Sequence, residues 1–373
     1  MNDIESRLRD AMVARAESVH EDGPALPLPE PRRARLTGWM VPLAVSTAIV
    51  TLVAGMVVML RTIEAKPPAE TEPPKPGVPA YYVASIVTER MVKTKKVVTS
   101  HDVPGPLRVY DSRTGRVTAD LPVLADGHVA GLGDGHTFFL AGREREGAPY
   151  GFYRITLAVD GRIASVNRLP RGESIVSERI GTMTAEPGGR ELAFTLHRVS
   201  GSGDGAQVGV LDTVSGRVRR MRTDKPGFIQ SLDWVGDGRS LIMTWAPGDS
   251  IRGGQTRLAD TSVPDRDLLS GQVIADIVYP VASRRDGSTF VTRRPGAAGG
   301  IPVLAEYAIV PGLPVRTWRP KEAFYPMAFD VTGRVLLGFA RGGVPAWLNG
   351  DRPVPIPMPQ LPSGEGTRLV VAW

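Results

Sequence analysis

An all-β fold of repeated four-stranded units, carried behind one membrane-crossing helix, is what the sequence predicts. Three observations lead there. Trp39–Leu60 is a run of 22 residues without a charge. Glycine and proline number 42 and 33 among 373 residues, too many for a mainly helical chain. From Tyr81 onward a unit of apolar strand, tight glycine turn and apolar strand recurs, with turn glycines at Gly135, Gly189, Gly238, Gly287 and Gly333, spaced 54, 49, 49 and 46 residues apart.

The N-terminal tail, 1–38, holds a short helical pattern. Asn2 or Asp3 can cap it, and Ile4, Leu8, Ala11, Met12 and Val19 fall on one face, interrupted by Arg15. Residues 2–19 are thus a candidate docking helix for a cytoplasmic protein partner. Gly23–Pro31 cannot continue that helix because its prolines lack the N–H.

At about 1.5 Å per residue, residues 39–60 reach roughly 33 Å, enough for a hydrocarbon core of about 30 Å. The run is too long, and too far from the first residue, for a signal peptide. Arg32, Arg33 and Arg35 crowd its N-terminal flank, while Arg61, Lys66 and Lys75 follow it more thinly. The expected topology is therefore a single-pass cell-membrane protein with the N-terminus cytoplasmic and the following domain extracytoplasmic. Residues 61–79 form a stalk, with six prolines between Lys66 and Pro79, stiff through fixed φ and polyproline extension.

Residues 80–373 carry the repeats. Glycine suits the tight turns because two-residue hairpins need positive φ, which a Cβ resists. A second kind of hairpin lies between those turns, as in LRVYDSRTGRVTADL, FYRITLAVDGRIASVNRL and VGVLDTVSGRVRRM. Four strands in about fifty residues is the period of a β-propeller blade. Six blades are expected, at 81–124, 128–170, 180–223, 229–274, 279–320 and 324–359. A β-sandwich needs no such constant spacing. Leu369–Trp373 matches the first strand of a repeat, and Tyr81–Val87 matches a second strand with no partner before it. The C-terminal strand is therefore expected to pair antiparallel with Tyr81–Val87 and close the first blade, although the insertion Thr88–Gly105 could supply a strand of its own.

Glu186–Phe194 (EPGGRELAF) and Gly236–Met243 (GDGRSLIM) resemble the SPDGRxLAF repeat of TolB-like and WD40-like propellers. The whole layout resembles actinobacterial membrane-anchored proteins of that kind. The resemblance implies a fold, and no activity comes with it. No blade ends in the Trp-Asp dipeptide of standard WD40 repeats.

The chemistry of enzymes is thinly represented. Cysteine is absent, which removes disulfides, thiolate catalysis and cysteine zinc sites. No Gly-x-Ser-x-Gly elbow, HExxH, EF-hand loop or Walker A loop occurs. His128 and His136 could share a metal only if the strand pair folded them together, and Ser283–Phe290 reads as a hairpin turn rather than a sialidase Asp-box. No cofactor and no metal are expected. Net charge is +6, with only seven lysines among 45 basic residues, and the arginines are dispersed. Arg217, Arg219, Arg220 and Arg222 read as solvated hairpin edges, so no nucleic-acid partner is expected.

In a propeller, turns between strands one and two and between three and four share one face, and loops between strands two and three share the other. The latter are long here: Arg143–Tyr150, Arg198–Ala206, Ala246–Gln255 and Pro295–Pro302. Loops on a rigid scaffold commonly carry recognition. The candidate binding residues are Arg143, Arg145, Arg198, Asp249, Arg252 and Arg294, facing a protein or cell-envelope ligand. The function expected is a non-enzymatic binding, sensing or scaffold module. The alternatives are a transmembrane regulator whose cytoplasmic helix binds a sigma factor or similar protein, and a propeller enzyme.

Overall fold

The computed structural model describes residues 77–93, 98–170, 175, 178–198, 205–248, 254–263, 267–276, 279–295, 302–309, 314–359 and 367–373. The chain divides into two compact units, Met1–Thr71 and Glu72–Trp373, and every described residue belongs to the second. The expected docking helix, the 39–60 span and most of the stalk lie outside the described residues. Among the described residues, no helix is long and apolar enough to cross a membrane.

The domain is an all-β propeller. Its first sheet contains β1 (Tyr81–Lys93), β2 (Val98–Pro104), β3 (Arg108–Asp111) and β4 (Val117–Asp120). The second is β5 (Ala125–Gly131), β6 (Thr137–Arg143), β7 (Tyr150–Leu157) and β8 (Ile163–Arg168). A seven-stranded sheet follows, with β9 (Glu178–Ala185), β10 (Glu191–Arg198), β11 (Gly205–Asp212), β12 (Val218–Trp234), β13 (Ser240–Pro247), β14 (Gln255–Asp260) and β15 (Gln272–Ala275). Two four-stranded sheets come next: β16 (Val281–Ser283), β17 (Thr289–Arg294), β18 (Val303–Ala308) and β19 (Arg316–Trp318), then β20 (Phe324–Phe329), β21 (Leu336–Ala340), β22 (Val344–Asn349) and β23 (Arg352–Pro355). The last strand, β24 (Thr367–Ala372), joins the first sheet as its fifth member by pairing with β1.

Six separate four-stranded blades are therefore not what the hydrogen bonding gives. Four sheets stand alone as blades, and the stretch expected to hold blades three and four is one continuous sheet. The cause is β12, seventeen residues long, which pairs with β11 through Val218–Arg222 and Pro226 and then with β13 through Gly227–Trp234. The strand continues through Pro226 and Gly227, with a register shift against β11 just before them.

The closing strand is where the sequence places it. β24 lies antiparallel to β1, with Val83 opposite Ala372 and Ile86 opposite Leu369. The insertion after Thr88 adds to this pairing without replacing it. The far half of β1 runs on through Lys93 and pairs with β2 from Val87↔Pro104 to Lys93↔Val98, so the first loop-face connection is a hairpin extension.

Every first-to-second turn glycine expected from the repeat has positive φ, between 62° and 71°. An aspartate stabilises several of these turns. Asp237 Oδ1 accepts from Arg239 N and Ser240 N, both at 2.8 Å, and Asp286 Oδ1 accepts from Ser288 N at 2.9 Å. Ser283–Phe290 is thus a hairpin turn, as its sequence predicts.

The core lies between sheets. Second strands are buried on both faces, most completely in β6, where all seven residues are buried, because each sheet is covered on both sides. Six apolar clusters make it up, five between sheets and one, around Trp234 and Trp245, between the two halves of the seven-stranded sheet. One joins Val83 and Val109 to Phe138 and Leu140, one Phe139 and Phe152 to Phe194, and one Val208 and Val210 to Trp234 and Trp245. The fourth joins Ile242 to Phe290 and Tyr307, and the fifth Val291 to Phe324 and Leu336. The sixth joins Leu337 and Ile356 to Tyr82, Tyr110, Leu369 and Trp373, which returns the packing to the first sheet.

Candidate functional site: the central channel and its loop face

The innermost strands β5, β9, β12, β16, β20 and β24 surround a cavity of about 180 Å³. Asp233, at the end of β12, is its most perturbed group. Its carboxylate accepts from Thr184 Oγ1 on β9 at 3.2 Å, from Trp234 N at 2.9 Å and from Ser283 N on β16 at 2.6 Å. One side chain thereby ties three inner strands together. Burial pushes its pKa up to about 6, against those bonds and the Arg285 guanidinium, which favour the charged form. It sits deep in the protein, yet part of its surface stays open to the channel.

Arg285 caps the turn end of this channel. Its Nη2 donates to Leu132 O, from the turn that follows β5. Neighbouring turns close around it: Gly133 N donates to Trp373 O and Val331 N to Gly133 O, each at 3.0 Å. A Cβ at Gly236 would stand 1.9 Å from Arg285 O, so only glycine permits that approach. Arg284 points elsewhere. It donates to Glu306 Oε1 at 2.6 Å and to Gly333 O at 2.7 Å, and its guanidinium lies over Phe329.

At the opposite, loop end, Arg293 is held over Tyr325, 4.3 Å from the ring centroid, with Tyr279 at 5.4 Å. Its Nε is buried without a protein partner. Met327 and Val370 are exposed at 40% and 44%, unusual values for apolar residues on inner strands. Met327 lines the channel.

Of the six residues picked from the sequence, Arg143, Arg145, Arg198 and Arg294 lie among the described residues, on β6, the loop after it, β10 and β17. Arg143 is a correction: it is the last residue of β6 and only 5% exposed. Its Nη2 donates to Glu178 O at 2.6 Å, its Nε lies 3.7 Å from Asp126 Oδ2, and its guanidinium stacks over Tyr150. Pairing with Tyr150 extends the strand to Arg143, so it packs the sheet interface and the exposed loop begins one residue later. Arg145 is exposed in that loop, its carbonyl accepting from Ala148 N at 3.1 Å. Arg198 ends β10 opposite Glu178. Arg294 is exposed beside Pro295, Val303, Thr317, Trp318 and Arg319 in an open groove. Asp249 and Arg252 lie outside the described residues.

One other expectation changes. Arg219 and Arg220 are not merely solvated hairpin charges: Arg219 Nη2 bonds Glu191 Oε1 at 2.7 Å, and Arg220 Nη1 bonds both oxygens of the buried Glu178 at 2.7 and 3.0 Å. His128 and His136 do not converge on a common point. His136 meets the edge of Tyr81. Burial holds the pKa of His128 down at about 4, opposed by Asp126 and aided by His197. Among the described residues no group of histidine and acidic side chains could hold a metal ion.

Sequence reasoning overlooked Asp233 and Arg285. Asp233 falls in SLDW, which reads as one more inner strand, and Arg285 in what reads as an ordinary turn. No local signal separates them from the other aspartates and arginines of the repeats.

Sheets packed face to face around a channel define a β-propeller. No family model matches the chain, and no curated protein does. Among solved structures, the chain is similar to hydrazine synthase of Kuenenia stuttgartiensis at 16% identity and TM-score 0.42, covering 76% of this chain and 80% of that one. It is similar to the Dos1 propeller at 10% identity and TM-score 0.36, over 70% and 68%. With the Cps50 (Swd1) propeller domain of Myceliophteria thermophila the values are 12% and 0.40, over 73% and 86%.

Proposed function

We propose that the chain is a membrane-anchored, extracytoplasmic binding module with six radially arranged units, the seven-stranded sheet counting as two that share β12. The change of partner along β12, the five clusters between sheets and the sixth between the two halves of the seven-stranded sheet support that count. The uncharged 39–60 run and the arginines before it support the anchor and its direction.

The recognition surface in this reading is the loop face. One observation carries it: Arg285 and the tight turns crowd one end of the channel, while the strand ends that flank the long connections, the β1–β2 hairpin extension and the exposed Arg145 and Arg294 belong to the other. The partner is a protein or envelope polymer complementary to arginine-rich loops. Replacing Asp249, Arg252 and Arg294 together should reduce binding of the full-length protein to an isolated envelope fraction at least tenfold. The melting temperature should barely move, since charges carried on long loops commonly contribute little to folding. Unchanged binding, or a large fall in melting temperature, refutes the assignment. Protease added to intact, wall-stripped cells should remove residues 80–373, and protection of that domain reverses the orientation.

The second reading is a transmembrane regulator whose residues 2–19 hold a sigma factor or similar protein, motivated by the apolar face of that stretch. A cytoplasmic protein that copurifies with the full chain and is lost on deleting residues 2–19 supports it; no such protein refutes it.

A further inference from the structure

We propose that the channel is a one-mouthed cup for a small zwitterion, a free α-amino acid with a short side chain, which enters from the loop face. The inference is independent of whether that face also binds a macromolecule.

Three features of the cavity carry it. Its volume, about 180 Å³, is the share of about six waters at ~30 Å³ each, which limits a solute to a comparable number of non-hydrogen atoms. Its lining offers both signs of charge, Asp233 and Arg285, together with the polar Gln230 and Thr182 and the apolar Met327 and Val371. Its turn end is narrowed by the Arg285 bond to Leu132 O and by the turns packed on Arg285.

A charged solute entering such a site loses its hydration, which is costly unless each charge meets a partner. An ammonium group can take the outer lone pairs of Asp233, whose known donors are two backbone N–H groups and one hydroxyl. A carboxylate can take the Arg285 N–H groups not used on Leu132, and a guanidinium is well shaped for that. A solute with only one of these charges leaves the other wall group unmatched. Gln230 Oε1 is buried without a protein partner, so the wall also holds an unused acceptor. Met327 and Val371 supply the apolar side for a methyl or isopropyl group. A sugar or polyol would satisfy the polar groups but waste the charge pair.

Trp234 and Trp373 line the same cavity, so occupancy should change intrinsic fluorescence. The full-length protein in detergent is titrated with L-alanine, then with propionate, ethylamine and glycerol, by fluorescence and calorimetry. Saturable binding of alanine at millimolar concentration or below is expected, with the single-charge analogues and glycerol at least tenfold weaker. Asp233→Asn should weaken alanine binding at least tenfold. Because that variant removes bonds between three strands, Met327→Trp provides a second arm: it fills the lumen from an exposed position and should abolish binding with melting unchanged. Absence of alanine binding, equal binding of glycerol or a single-charge analogue, or binding retained in Met327→Trp overturns the proposal.

Discussion

Removing Leu369–Trp373 should open the ring, and the structure sets the scale of the damage. Leu369, Ala372 and Trp373 are each under 8% exposed. Trp373 packs 5.4 Å from the Tyr82 ring, and its carbonyl accepts from Gly133 N. Truncating a buried Trp costs about 3–5 kcal/mol and a buried Leu about 2–5 kcal/mol. Together they approach the roughly 5–15 kcal/mol that holds a whole domain. The single change Trp373→Ala should therefore lower Tm by roughly 6–20 °C, at about 2–4 °C per kcal/mol for a domain of this size or slightly smaller. Deletion of all five residues should abolish a cooperative transition. It also strips the inner edge of β1 along Val83–Ile86, and an unpaired edge invites association between chains. Circular dichroism melting read beside light scattering measures both effects. A truncated protein that melts like the intact one, without scattering, would mean that β1 and β2 hold the first sheet unaided, and would falsify the reasoning.

Other expectations concern charge inside the ring. Asp233 binds its proton more tightly in the folded state, with a pKa near 6 against an ordinary 3.8. Its contribution should fall by up to about 3 kcal/mol as pH rises from about 4 to about 6 and then level off. Asp233→Asn should flatten that part of the stability profile, and an unchanged slope in chemical denaturation sinks the assignment. His128 behaves oppositely. Its folded pKa near 4 lies below the ordinary 6.5, so stability is lost as pH falls from about 6.5 toward 4, and His128→Gln should reduce that loss. Arg284→Met strands Glu306, a buried carboxylate that burial would push up but the Arg284 and Thr289 bonds hold below its usual range. About 3 kcal/mol of destabilisation is expected near neutral pH, shrinking as acid protonates Glu306. A difference independent of pH would show that Arg284 acts through packing alone. Gly236→Ala should destabilise strongly despite adding one methyl, because the new Cβ meets the Arg285 carbonyl; a neutral result by thermal melting removes the argument for close turn packing at the channel end.

The sequence by itself determined the repeating hairpins, the position of each tight turn and the partner of the last strand. These are legible because their causes are local: a turn glycine must adopt positive φ, and an apolar strand flanked by turns needs a neighbour on each edge. Gly135, Gly189, Gly238, Gly287 and Gly333 all meet that requirement. Only the tertiary structure decided which charges face which units. Arg285 finds Leu132 across 153 positions, Asp233 finds Thr184 across 49 and Ser283 across 50, and Arg143 is drawn under Tyr150 toward the Glu178 carbonyl. Spacing along a chain does not encode those meetings. They arise because neighbouring inner strands and sheets pack side by side, which brings groups 35 residues or more apart to one wall, and burial then leaves each charged group requiring a partner there. The continuity of β12 has the same origin: both of its halves found ladders to join, and the strand stays extended through Pro226 and Gly227, which locally signal a turn.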